Sequence, residues 1–237
     1  MRVCLNGRTG LVLGIGAEWL CAWEEGYSES DNRVLNPEQD KRSAANLVAD
    51  WHQMTGPSVT VAAACASANV ALAQAKRWIE MGWIEVCLVG ACEIVTPLLM
   101  GGFDKLRALS RNFDNPTVAS RPFDRSRDRF VMAEGGAFFV LESSDHARRR
   151  SARAYAEVAG YGASSDAFHI VAPSTEHQHA ALAVQHALDD AQINPEDIDY
   201  VNAHATSTPI GDSSEANTLR RAFGPAIEKI PVSSTKA

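Results

Sequence analysis

Short apolar runs bounded by glycine alternate along this chain with stretches of helical period. Residues 10–17 (GLVLGIGA) read as a buried strand running into a glycine-rich turn. Leu47, Val48, Trp51 and Met54 recur at i, i+1, i+4 and i+7, an amphipathic helix that Gly56-Pro57 stops. Residues 58–63 (SVTVAA) form the next strand, and the alanine-rich stretch 67–81, with Val70, Ala71, Trp78 and Ile79, a helix ended by Gly82. A strand over 84–90 and a helix over 97–109 follow. Residues 110–129, rich in Arg, Asp, Asn and Pro, are an ordered loop or a solvated linker. Residues 137–142 (AFFVLE) form a strand that leads into a short basic helix through Arg150. Beyond it the pattern predicts strands over 155–161, 199–203 and 230–233 and helices over 176–191 and 212–223. Residues 18–42, with Trp19, Leu20 and Trp23 ahead of acidic and turn-forming residues, read as a helix fragment and a long surface loop.

This β-α-β-α-β order predicts an α/β protein with a mostly parallel sheet covered by helices. A break in composition near residues 143–154 divides it into halves 1–150 and 151–237. Hydrophobic residues at 46% and charged residues at 22% describe a globular chain rather than a disordered or fibrous one. Lys and Arg number 22 against 29 Asp and Glu, and the net −7 argues against a partner recognised through a global basic field, so no nucleic acid is expected. No apolar run approaches the ~20 residues of a membrane span, so no membrane is expected. Residues 1–6 lack the features of a signal peptide. Five cysteines without a Cys-x-x-Cys suggest neither a disulfide framework nor a zinc site, and the expected setting is cytoplasmic.

Two positions stand where chemistry is expected in such a fold, beyond the carboxyl ends of strands. Cys65, in VTVAAACASANVALA, ends one predicted strand and opens a predicted helix, whose N-terminus favours a thiolate. Its small neighbours, residues 62–64 and 66–68, allow a tight turn and a close approach of substrate. The competing reading is an inert buried thiol, which is how Cys87 and Cys92 are read. His204, in NAHATSTPIGD, follows the strand DYVN and can donate a hydrogen bond to a carbonyl or accept a proton. Thr206, Ser207 and Thr208 supply hydroxyls for a polar ligand chain. Asp212, one helical turn before Glu215, complements a helix dipole. His177 and His179 are expected to face solvent on the first turn of a helix rather than to ligate a metal. Spacing alone gives Lys236 no role and cannot pair Cys65 with His204.

The segments AAACASAN, GGFDKLRALS, NPTVASRPFDRSRD, FVMAEGGAFFVLES, SSDAFHIVAPS, YVNAHATSTPIGD and VSSTKA, in this order, resemble an elongating β-ketoacyl-[acyl carrier protein] synthase of type II fatty acid synthesis, in the thiolase superfamily. The likeness runs from about Arg8 onward and is densest after Cys65. It implies a thiolase-like αβαβα layered sandwich. The chain would be an incomplete portion of it: the end of an N-terminal half carrying the nucleophile and the start of a C-terminal half carrying the first active-site histidine. It implies Cys65 as the acylated nucleophile, His204 as the group that polarises the malonyl thioester, and Lys236 as support for the histidine network. Thr206 and Thr208 would touch the phosphopantetheine arm, and Arg107 would belong to the surface that docks the acidic acyl carrier protein. The implied partners are that carrier and a second ketosynthase chain, as a homodimer or a ketosynthase-type heterodimer. No metal or other cofactor is implied, because the substrates ride on the carrier's phosphopantetheine.

The family pattern continues past S-S-T-K to a Gly-His motif with a second catalytic histidine and to a Gly-Phe-Gly gating loop, neither of which lies within residues 1–237. Slow acyl-enzyme formation without condensation is therefore the expectation for these residues alone. Ala68, Arg129 and Ala133 stand where the family has glycine, a replacement that costs ~1–2 kcal/mol wherever φ is positive. Two other functions stay open. One is a catalytically silent or chain-length-factor-like relative that binds a partner synthase or carrier, although such factors lack the cysteine. The other is a cysteine hydrolase, for which the sequence nominates no group to orient His204.

Overall fold

Strand β1 (Thr9–Gly14, TGLVLG) is buried at every position, so both of its faces must be covered. Leu11 and Leu13 meet Ala45 and Ala49 of helix α1 (Ala44–Trp51), which Ser43 caps by accepting the Asn46 N–H at 3.3 Å. Val12 points the other way, into Ala71, Ala75 and Trp78 of helix α2 (Ser67–Glu80) and Ile84, Cys87 and Val89 beyond it. The result is a helix–sheet–helix sandwich with β1 at its centre. The structure, a computed structural model, describes residues 8–17, 20, 24, 43–170 and 172–236. Cys4, Cys21 and most of the expected loop over 18–42 lie outside the described residues.

The sheet has the order β2-β1-β3-β4, with β2 spanning Ser58–Val61, β3 Val86–Glu93 and β4 Gly135–Glu142. β1 runs parallel to both β2 and β3, as expected. β4 is antiparallel to β3, from Val86↔Glu142 to Glu93↔Gly135, so the sheet is mostly parallel, as expected, with one reversed strand at its edge. Alternation of side chains reports burial but not direction, and the chain between the two strands returns at the end where β3 finishes. β3 also runs on to Glu93, so Cys92, expected just past the strand, lies inside it.

Helix α3 (Pro97–Lys105) and the short helix α4 (Ser144–Arg149) complete the first part of the chain. Later, helices α5 (Gln178–Ala191) and α6 (Pro209–Phe223) pack through Ala181, Leu188, Leu219, Ala222 and Phe223. Beside them β5 (Val201–Asn202) and β6 (Val232–Ser233) form a two-residue parallel ladder. Residues 155–161 are not a strand: no described residue pairs with them in a ladder. Within this stretch and just past it, Gly160 and Gly162 lie against α5, where an added Cβ would overlap the carbonyls of Ala187 and Ala183. Tyr161 N–H donates to Asp190 Oδ2 at 2.9 Å.

The described residues form two compact units, one from 1–100 and 133–158, the other from 101–132 and 159–237. The segment 101–132 thus groups with the later residues. No helix among the described residues is long and apolar enough to cross a membrane.

Candidate active site

Cys65 neither ends the strand nor opens the helix. β2 stops at Val61 and α2 starts at Ser67, which leaves Cys65 exposed in the turn between them. Ala64, just before it, has φ +47°, a left-handed conformation that costs a residue with a Cβ ~1–2 kcal/mol. The turn is closed by Ala66 N–H to Ala63 O at 3.0 Å and Ser67 N–H to Ala64 O at 3.1 Å. The Ser67 hydroxyl adds two more bonds: it accepts from Ala63 N–H at 2.9 Å and donates to Ala64 O at 2.7 Å. The Cys65 N–H has no acceptor among the described residues. The end of β1 presses on the same place, because a Cβ at Gly14 would stand 2.6 Å from Ser67 O. Ala68, Arg129 and Ala133 have no positive φ, so the cost of replacing glycine there does not arise; Ala64, Phe123 and Ser207 are among the non-glycine residues that do have positive φ.

The other thiols contrast with Cys65. Cys87 is fully buried in β3, and burial pushes its pKa up to about 12 against a smaller opposing effect from a Val12 backbone hydrogen bond. Cys92 is half-buried. Among the described residues no group of His, Cys, Asp or Glu is placed to hold a metal ion.

In the second unit, β5 delivers His204 to an exposed position. Glu215 of α6 grips the backbone there with both oxygens, accepting from His204 N–H at 2.7 Å and Ala205 N–H at 2.6 Å. Ser234 Oγ donates to Ala205 O at 3.1 Å, and Lys236 N–H donates to Ser234 Oγ at 3.2 Å, which ties the Lys236 segment to the histidine. Ser120 Oγ donates to the Lys236 carbonyl. Partial burial of the ring, reinforced by the Lys236 ammonium, holds the His204 pKa below its ordinary value, with Glu215 and Asp212 opposing. A neutral imidazole, free to share a hydrogen bond, is thereby favoured near pH 7.

Thr206 and Thr208 lie half-buried with their hydroxyls 3.2 Å apart. Gly211 leaves room beside them, since a Cβ there would overlap Thr208 Oγ1 and make that hydroxyl move. Ser207 between them is fully buried at φ +70° and accepts from Arg121 N–H at 3.0 Å. Asp212, 1% exposed, does more than complement the dipole of α6: Oδ1 accepts from Thr208 N–H at 3.2 Å and Oδ2 from Phe123 N–H at 2.8 Å. Arg127 Nε stands 3.4 Å from Asp212 Oδ2 and donates to Thr208 O at 3.2 Å, while Nη2 reaches Pro209 O at 2.9 Å and Ser213 Oγ at 2.8 Å. The polar stretch 110–129 is therefore an ordered strap over the threonine loop.

His177 and His179, expected to face solvent, are half-buried, and His177 Nδ1 lies 3.1 Å from Ser214 Oγ. Arg107 is exposed at φ +53° past the end of α3 and forms no ion pair among the described residues. His204, Thr206, Thr208 and Lys236 are thus brought together in one unit, and Cys65 belongs to the other. Sequence reasoning missed Ser67, Arg127 and the carboxylate grip of Glu215. The first had a visible signal, a hydroxyl two residues after the cysteine in an alanine-rich run.

Residues 3–147 match the family "Beta-ketoacyl synthase, N-terminal domain" and residues 155–237 "Beta-ketoacyl synthase, C-terminal domain". Two similar curated relatives are each named 3-oxoacyl-[acyl-carrier-protein] synthase 2. The one from Vibrio cholerae is 38% identical across 97% of this chain and 58% of its own length. That from Staphylococcus aureus is 42% identical across 77% of this chain and 45% of its own. The chain spans about half the length of the curated relatives it matches. Among solved structures, a β-ketoacyl synthase from Burkholderia phymatum superposes with TM-score 0.84 at 33% identity, covering 99% of this chain and 58% of that one. A ketosynthase solved with its type II polyketide acyl-carrier protein gives TM-score 0.88 at 31% identity, covering all of this chain and 62% of that one. The architecture is accordingly a portion of the thiolase-like α/β fold of the ketosynthases, and the chain belongs to the β-ketoacyl synthase family.

Proposed function

We propose that this chain performs the acyl-transfer chemistry of a β-ketoacyl-[acyl carrier protein] synthase in fatty acid or polyketide elongation. Residues 1–150 act as the nucleophile half and 151–237 as the histidine half. The Cys65 sulfur attacks the thioester carbonyl of an acyl chain on phosphopantetheine, a new C–S bond forms, and the carrier's thiol leaves with the proton. The Cys65 N–H, without an acceptor among the described residues and next to the sulfur along the chain, supplies one donor to the tetrahedral oxyanion. In the condensation that follows, which also needs the second catalytic histidine of the family pattern, His204 would hydrogen-bond the malonyl thioester oxygen as carbon dioxide is lost, and the resulting carbanion would attack acyl-Cys65 to lengthen the chain by two carbons. Burial of the ring, reinforced by the Lys236 ammonium, favours the neutral form of His204 for that task. Thr206 and Thr208 hold the phosphopantetheine arm, and Arg107, exposed past the end of α3, meets the acidic carrier protein.

The observation that supports this reading most is Cys65 itself: a solvent-exposed thiol in a strained, hydrogen-bonded turn at a strand–helix junction. A second ketosynthase chain is the proposed partner along β4, an edge strand whose Phe138, Phe139 and Val140 are exposed. The exposed thiol suits a reducing, cytoplasmic compartment. Incubation with an acyl-carrier thioester tests the proposal. The expected result is a stable acyl adduct absent from Cys65→Ala; release of free fatty acid without an adduct would instead indicate a cysteine hydrolase.

A further inference from the structure

Ser67 is 4% exposed, and its hydroxyl is fully used inside the Cys65 turn, as acceptor from Ala63 N–H at 2.9 Å and donor to Ala64 O at 2.7 Å. These bonds bracket Ala64, the residue whose φ of +47° sends the chain from β2 into the cysteine. Alanine gains nothing from that conformation and would relax toward negative φ unless the surroundings held it. Helix α2 has no side-chain cap, so the Ser67 hydroxyl spends none of its bonding on the helix end. Behind it, Gly14 of β1 leaves room for the Ser67 carbonyl and so sets the depth of the turn.

We propose that Ser67 is the positioning residue of the nucleophile, holding Ala64 in the left-handed conformation that presents the Cys65 thiol and its adjacent N–H together. The inference rests on the acyl-transfer reading of Cys65. Attack on a thioester needs the sulfur and the oxyanion donor in register, whereas alkylation by iodoacetamide needs only an accessible thiol. Loss of the hydroxyl therefore separates the two reactions, which general destabilisation would not.

In Ser67→Ala, acylation of Cys65 by an acyl-carrier thioester is expected to slow ten-fold or more while iodoacetamide labelling of Cys65 stays within three-fold of wild type. Glycine adopts positive φ without penalty, so Ala64→Gly added to Ser67→Ala is expected to bring acylation back within three-fold of wild type. Ala64→Gly alone, with Ser67 in place, is expected to acylate at the wild-type rate, and this holds as a test even if Ser67→Ala does not fold. Wild-type acylation in Ser67→Ala, a double variant as slow as Ser67→Ala, or a ten-fold loss in Ala64→Gly would each overturn the proposal. Should wild type take up no acyl group, the acyl-transfer reading falls. Hydrogen exchange then decides on Ser67: the Ala63 amide exchanging at least ten-fold faster in Ser67→Ala supports the clamp, and unchanged exchange overturns it.

Discussion

Replacing Asp212 by alanine should destabilise the second unit severely, because its carboxylate serves three groups from a site 1% exposed. Two of them are backbone donors, Phe123 N–H at 2.8 Å and Thr208 N–H at 3.2 Å. Left buried without an acceptor, each costs ~1–3 kcal/mol. The third is Arg127, 15% exposed, with Nε 3.4 Å away. Removing one partner of a buried ion pair costs about 3–5 kcal/mol, and the contributions overlap rather than add. Arg127 keeps its bonds to Thr208 O, Pro209 O and Ser213 Oγ, which limits the loss. An overall cost of ~4 kcal/mol divided by a urea slope of ~2 kcal/mol/M lowers the midpoint by ~2 M. Pulsed hydrogen exchange on peptides spanning α6, along a urea series, reads this unit specifically. Asp212→Asn retains one acceptor oxygen and should fall between the two. A midpoint shift below ~0.5 M in Asp212→Ala would show that the strap over residues 110–129 is not anchored through this carboxylate.

Glu142 should give the fold an acid limb. Its hydrogen bond with Arg150, opposed by burial and helped by His146, holds its pKa at about 2 against an ordinary 4.5. A carboxyl depressed in the folded state contributes stability above its unfolded pKa and loses it as pH falls, here between 4.5 and about 2. Glu142→Gln should remove ~2 kcal/mol of that dependence after solvent screening, read as a flatter curve of urea midpoint against pH. Lys236→Met removes the neighbouring ammonium, so the His204 pKa should rise, and Glu215→Gln should lower it; NMR titration of His204 Cε1–H checks both signs. Near neutral pH iodoacetamide should label Cys65 well ahead of the fully buried Cys87, whose pKa is about 12. Peptide mapping that finds Cys87 labelled first would contradict the burial of β3.

Local pattern made β1, α1 and α2 legible, because GLVLG is apolar at every step and the Leu47–Trp51 stripe and alanine-rich 67–80 repeat at helical spacing. The stretch 155–161 failed for a physical reason: a strand is defined by a neighbour, and Gly160 within it and Gly162 just past it face a helix instead. The reversed direction of β4 was equally invisible, since pairing order is a property of the whole sheet. Cys65 and His204 stood out through their context at strand ends, but the groups that hold them did not. Glu215 reaches the His204 amide across 11 residues and Asp212 reaches Phe123 across 89, separations that no periodicity encodes.

Everything proposed for this chain turns on Cys65 accepting an acyl group from a carrier-bound thioester. The most direct measurement of that step is rapid quenching of the chain with a stoichiometric acyl-carrier protein, followed by proteolysis and mass mapping of every cysteine peptide. The acyl mass is expected on the peptide containing Cys65, appearing as free carrier accumulates and blocked by prior alkylation of that thiol. An acyl group found on Cys92 or another residue, or carrier released with no acyl-peptide at any time, would contradict it.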